Sequence, residues 1–149
     1  MSDKDLKTLI FELNGGKYAT DIKEVERILG YEQPTVVPEA PFFVEGVINY
    51  EENILPVINL SKKFKLKEQG KNDDRKIIVV KRQEKKFGII VDSVYEVRDI
   101  SGECIEEAPV ITNDKKRNYI KGLMKIEQNI IILLDLQKIL SLQDEENIF

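Results

Sequence analysis

The 149-residue chain has no histidine, no tryptophan and a single cysteine, Cys104. The missing histidine removes the commonest general base, the histidine-paired Ser and Cys nucleophiles, and the commonest metal ligand. Catalysis would have to rest on carboxylates, Lys or Tyr. One cysteine excludes an intrachain disulfide and leaves a structural zinc site without its usual ligands. Cys104, beside Ile105, reads as a strand-end packing residue, because nothing is present to activate its thiol. No apolar run approaches the roughly 18 residues that span a bilayer, and Met1 to Lys7 is polar, so a cytoplasmic chain without direct membrane insertion is expected.

Neither charge sign dominates. Lys and Arg number 23 against 27 Asp and Glu, a net charge of −4 with both signs interspersed. That balance gives no electrostatic case for nucleic acid, whose binding rests on clustered cations. Lys65 to Lys76 is charged, but Glu68, Asp73 and Asp74 lie inside it and no aromatic residue interleaves, so it reads as a solvated linker. Lys115-Lys116-Arg117 reads as a loop. Phosphate-cradling glycine patterns and the Ca²⁺ loop pattern are both missing. The acidic pairs Glu51-Glu52, Asp73-Asp74 and Glu145-Glu146 fall at a hairpin tip, in the linker and in a polar tail expected to fray. Solvated charge is the default there, so no catalytic residue, metal or cofactor is expected.

What is present is a repeat. The stretch Gly46-Val-Ile-Asn49 to Pro56-Val-Ile-Asn-Leu60, two apolar β-type runs around a polar turn, returns without a gap as Gly122-Leu-Met-Lys125 to Ile132-Leu-Leu-Asp-Leu136. Earlier in each copy, Tyr18-Ala19, Ile22, Val25 and Ile28 match Phe87-Gly88, Val91, Val94 and Val97. The spacing of Ile22, Val25, Ile28 and Leu29 alone suits an amphipathic helix. The second copy is too rich in β-branched residues for that, which favours strand, turn, strand in both, with Lys23-Glu24 at the corner. Asn14-Gly15 predicts a hairpin turn with positive φ at both positions. Proline-marked connectors follow, Gln33 to Pro41 and Ile105 to Pro109, each containing Glu-Ala-Pro. Asn59 and Asp135 stand where helix N-caps would be, and Leu60, Phe64, Leu136, Ile139 and Leu140 would pack the short helices they open.

The predicted fold is mainly β: two small five-stranded barrels related by the repeat, with short helices after the second hairpins and at the C-terminus. The expected limits are one domain over 8–145, a first barrel over about 14–66, and a second over about 76–136 completed by strand 8–13. A polar connector over 67–75 and a C-terminal helix and tail over 137–149 account for the rest. Halves of about 70 residues bury too little surface to stand alone, so extensive contact between them is expected. Branched aliphatic surface beyond what two small barrels can hide points to a non-catalytic protein-interaction module.

The ordered set Tyr18-Ala-x-x-Ile22-x-x-Val25, Pro38-x-x-Pro41, Gly46-Val-Ile-Asn49 with Pro56-Val-Ile-x-Leu60, Phe87-Gly88-x-x-Val91-Asp92-x-Val94, and Tyr119-Ile-x-Gly122 with Leu133-Leu-Asp135-Leu136 resembles the CheW-like family. The resemblance runs from about Leu9 to Leu142 and matches the stand-alone coupling module of that family. It implies two SH3-like subdomains and a scaffold linking the cytoplasmic tips of chemoreceptors to the histidine kinase CheA. It implies a receptor groove between the subdomains involving Ile22, Val25, Gly46, Ile77 and Val97, and a kinase or ring interface involving Ile105, Val110 and Ile111. Location in receptor arrays at the inner face of the membrane follows from the same resemblance. The family's usual Asn-Leu-Arg-Gly hairpin is replaced here by Asn49-Tyr50-Glu51-Glu52, a reversal of charge. Glu disfavours positive φ, so a different turn is expected at Glu51-Glu52. An adaptor for a non-flagellar kinase pathway keeps the fold with another output; a nucleic-acid binder or barrel-type enzyme is disfavoured by composition.

Overall fold

A computed structural model describes residues 5–67, 74–82, 84–107 and 119–149. Its strands are β1 (Leu6–Leu13), β2 (Gly16–Asp21), β3 (Val25–Gly30), β4 (Val44–Tyr50), β5 (Asn53–Asn59), β6 (Lys76–Val80), β7 (Phe87–Val91), β8 (Ser93–Ile100), β9 (Ile105–Glu106), β10 (Ile120–Ile126) and β11 (Asn129–Leu134). Two short helices, α1 (Leu60–Lys63) and α2 (Leu142–Ile148), and 3₁₀ turns at Ile22–Glu24, Gly102–Cys104 and Leu136–Lys138 complete the described elements. The Ile22–Leu29 segment is therefore turn then strand, as the β-branched second copy predicts.

The strands form two sheets, one of six in the order β8-β1-β2-β11-β10-β9 and one of five in the order β3-β6-β7-β5-β4. The chain path is nested. Residues 25–91 supply all of the five-stranded sheet, while the six-stranded sheet is assembled from 6–21 and 93–134. The sheets thus divide the chain differently from the expected subdomain limits: β2 lies in the sheet of the second hairpin, and β6 and β7 lie in the sheet of the first. Each repeat lends its opening hairpin to the other repeat's sheet. The first strand completes the sheet of the second repeat, pairing with β8 as well as β2.

The two copies agree in register as well as in sequence. Parallel pairing sets Val57 beside Gly88 in one sheet and Leu133 beside Ala19 in the other, which are equivalent pairs under the repeat. The ladder irregularities also coincide, between Val44 and Gly46 and between Ile120 and Gly122. A bulge kinks and twists its strand, so paired bulges curl both sheets alike.

Three apolar layers follow from this arrangement. Leu9, Phe11 and Leu13 of β1 face Ile78, Val80, Phe87 and Ile89 of β6 and β7 in one central cluster between the sheets. Ile77, Val79, Val57 and Leu55 fill the far side of the five-stranded sheet, and Ile10, Ala19, Met124 and Leu133 the far side of the other. Strands apolar on both faces are buried on both faces, which accounts for the unbroken runs Ile77–Val80 and Phe87–Val91.

The predicted caps are present. The Asn59 side chain accepts from Lys62 N at 3.0 Å and Asp135 from Gln137 N at 3.0 Å. Leu60 and Leu136 behind them are fully buried. The C-terminal helix expected within 137–149 is α2, and the acidic Asp144-Glu145-Glu146 turn, expected to fray, is ordered within it. Ser141 and Asp144 form a reciprocal capping box, and Asp144 and Glu145 pair with Lys63 at 2.7 Å and Arg82 at 3.2 Å. Cys104 is another correction: it sits exposed at the end of a 3₁₀ turn and does not pack.

Candidate protein-binding surfaces

Ile22 opens, and Val25 follows, the 3₁₀ turn that carries the chain from one sheet to the other. Asp21 caps that turn, accepting from Lys23 N at 2.9 Å. Both residues are partly buried against the central cluster, and so is Val94, the repeat equivalent of Val25. The start of β3 and the start of β8 therefore meet the same core from opposite sheets. Farther along β8, Val97 stands opposite Leu9 in the ladder and is 50% exposed. Tyr95 beside it is also exposed, donates its hydroxyl proton to Glu12 and lies under Lys17.

Gly46 and Ile77 differ from these in kind. Ile77 is completely buried, so its side chain offers no surface to a partner. Gly46 is buried within β4 rather than in a turn, with φ at +147°. A Cβ there would lie 2.1 Å from the Thr35 carbonyl oxygen, because Thr35 pairs with Val47 through both backbone groups. Gly122 repeats the device: its Cβ would lie 2.6 Å from the Glu106 carbonyl oxygen. Both glycines exist to let an adjacent strand approach. Ile105 opens β9 and packs against the cluster beyond the six-stranded sheet. Val110 and Ile111 lie outside the described residues.

The first hairpin tip departs from expectation. Glu51 and Glu52 both carry positive φ, 50° and 65°, and form the two-residue loop between paired Tyr50 and Asn53. The turn keeps the geometry that Asn-Gly adopts at Asn14-Gly15, despite the Cβ penalty, since hairpin twist demands it. Glu51 reaches Arg27 at 3.6 Å, so the acidic tip finds its counter-charge within the chain. Beneath it, the Tyr50 hydroxyl donates to Glu26 at 2.6 Å and Lys86 pairs with Glu26 at 3.0 Å. The bond to the Glu26 carboxylate, aided by burial, pushes the Tyr50 hydroxyl up to about 12. The same bond, with Lys86, holds Glu26 below the ordinary carboxylate range.

Glu24 had no signal in the sequence beyond its place at a corner. It is buried, accepts from Leu136 N at 2.8 Å and lies 3.6 Å from Lys121. Burial pushes its carboxyl up, against the opposing pull of Lys121 and the Leu136 amide. The carboxylate ties the crossover turn to the 3₁₀ turn after β11. Among the described residues no cluster of His, Cys, Asp and Glu could hold a metal ion, and no helix is long and apolar enough to cross a membrane.

Residues 7–144 match the model of the CheW-like domain. The chain belongs to the CheW-like family. It is 33% identical over 136 residues to the chemotaxis protein CheW of Klebsiella aerogenes, covering 91% of this chain and 82% of that protein. Against the chemotaxis protein CheW of Thermotoga maritima it is 33% identical over 137 residues, covering 92% and 89%. The crystal structure of the scaffolding protein TtCheW from Thermoanaerobacter tengcongensis superposes with a TM-score of 0.84 at 34% identity, over 95% of this chain and 96% of that one. Membership of the CheW-like family assigns a chemotaxis adaptor role to a chain whose own residues argue for a binding module.

Proposed function

We propose that the chain is a non-catalytic scaffold that couples chemoreceptors to the histidine kinase CheA, in arrays at the inner face of the membrane. Coupling by a scaffold is linkage: the receptor's state reaches the kinase only through contacts that differ between states. The observation that carries this reading is the meeting of β3 and β8 at the rim of one core, with Ile22, Val25 and Val94 half-buried there and Val97 exposed beside them. An apolar line between two rigid sheets suits an amphipathic helix laid along it, and the receptor tip is the proposed occupant. Gly46 and Ile77 serve that line through the fold, by strand approach and core packing. Ile105, with Val110 and Ile111, is proposed for the kinase or ring contact, and the acidic Glu51-Glu52 tip for a site where a partner carries cations.

Val25→Asp places a carboxylate on the proposed line. Receptor pull-down should be lost while binding to the CheA regulatory domain is retained, with circular dichroism confirming the fold. Unchanged receptor capture by that variant would remove the groove assignment.

A further inference from the structure

A cavity of about 640 Å³ lies between the Phe42–Phe43 segment, the end of α1 and the approach to α2. Its mouth is apolar, with Phe42 64% and Leu142 80% exposed, and Phe43 and Leu140 are buried beneath. Lys63, Lys65, Arg82 and Lys138 line it against one carboxylate, Asp144, in a chain whose net charge is −4. The local sign is thus opposite to that of the molecule. Two of these cations already hold acids of the chain's own α2, Lys63 with Asp144 at 2.7 Å and Arg82 with Glu145 at 3.2 Å. Lys65 and Lys138 have no ion pair among the described residues, and Arg82 Nη1 is buried there with no hydrogen-bond acceptor. Lys65 also sits at φ 59°, a strained backbone held by its N–H donating to Lys62 O at 2.9 Å.

We propose that this cavity is a second docking surface, taking an acidic amphipathic segment of a partner protein. An apolar side chain of the segment enters between Phe42 and Leu142, and its carboxylates meet Lys65 and Lys138. Charge complementarity selects this occupant, and α2 shows the recognition in miniature, with Asp144 and Glu145 on two of the same cations. A lipid surface fits less well, because the cations line a concavity and the molecule as a whole is anionic. None of the lining residues belongs to the proposed receptor line, and the proposal does not depend on that reading.

The probe is a fluorescein-labelled peptide of about 16 residues with Leu and Glu in helical register, titrated against the full chain. A control peptide has Lys at each Glu, and vesicles of phosphatidylcholine and phosphatidylglycerol form a separate arm. The Leu/Glu peptide should bind saturably and shift NMR signals of Phe42 and Leu142, and Lys65→Glu/Lys138→Glu should weaken it about tenfold or more. The Val25→Asp variant should bind the peptide as the parent does, which separates failure of this surface from failure of the receptor line. Equal affinity of the charge-reversed variant, equal binding of the Lys peptide, or shifts confined to other residues would overturn the proposal. Vesicle binding without peptide binding would overturn it in favour of a lipid surface.

Discussion

Tyr50 and Glu26 show how much one hydrogen bond can do under an exposed tip. The hydroxyl is buried, its donor bond to Glu26 is short, and Arg27 and Lys86 lie near its ring. The folded state holds the Tyr50 proton more tightly than the unfolded chain, so this residue's contribution to stability is intact below pH 10 and falls as pH rises from 10 to about 12. Spectrophotometric titration should find one tyrosine ionising near that upper value, and Glu26→Gln should return it toward 10. Glu26, lowered, works in the opposite sense: its contribution is present above its unfolded value and is lost as pH falls through the lowered one. None of this was legible in the sequence, where Glu26 and Tyr50 are separated by 24 positions. The Glu51-Glu52 turn departs from its local preference for a related reason: that preference amounts to about 1–2 kcal/mol per residue, and two flanking strands in register outweigh it.

At the scale of the element, the hairpins, the crossover turns and the N-caps were legible because each rests on local chemistry. β-Branched runs, Asn-Gly, and Asn59 or Asp135 before an apolar residue act within a few positions of themselves. A C-terminal helix within 137–149 was legible too, but the order of its acidic turn was not, although Ser141 and Asp144 stand at capping-box spacing, because the ion-pair partners Lys63 and Arg82 are far away in the chain. Gly46 was visible as a repeated glycine, but not its reason. That reason predicts a cost: Gly46→Ala must push Thr35 off β4 or strain a φ of +147°, and should destabilise by about 1–3 kcal/mol. Urea denaturation checks this, and Gly122→Ala should behave alike, since the Glu106 carbonyl occupies the equivalent place.

At the scale of the molecule, the duplication was legible and the way the copies combine was not. Parallel pairing of β5 with β7 and of β11 with β2 joins strands from different repeats, and no local pattern specifies such a partner. Once the opening hairpins are exchanged, the core between the sheets belongs to both. Phe11 and Phe87 are fully buried in it from opposite sheets. Phe87→Ala should therefore cost about 3–5 kcal/mol and lower protection from hydrogen exchange in β10–β11 as well as in β4–β5. Loss confined to β4–β5 would show that the sheets unfold separately. For the proposed receptor line the shared core would have a use: β3 and β8 cannot drift apart without opening it.

The nested path also orders events while the chain is being made. As residues emerge in sequence, β1 and β2 come first, yet the rest of their sheet lies beyond residue 92. The five-stranded sheet can close as soon as β7 is out, whereas the β1–β2 hairpin must wait for β8 and β11 with its apolar faces uncovered. During that interval the β1–β2 hairpin carries the unpaired edges and uncovered apolar surface that favour misassembly.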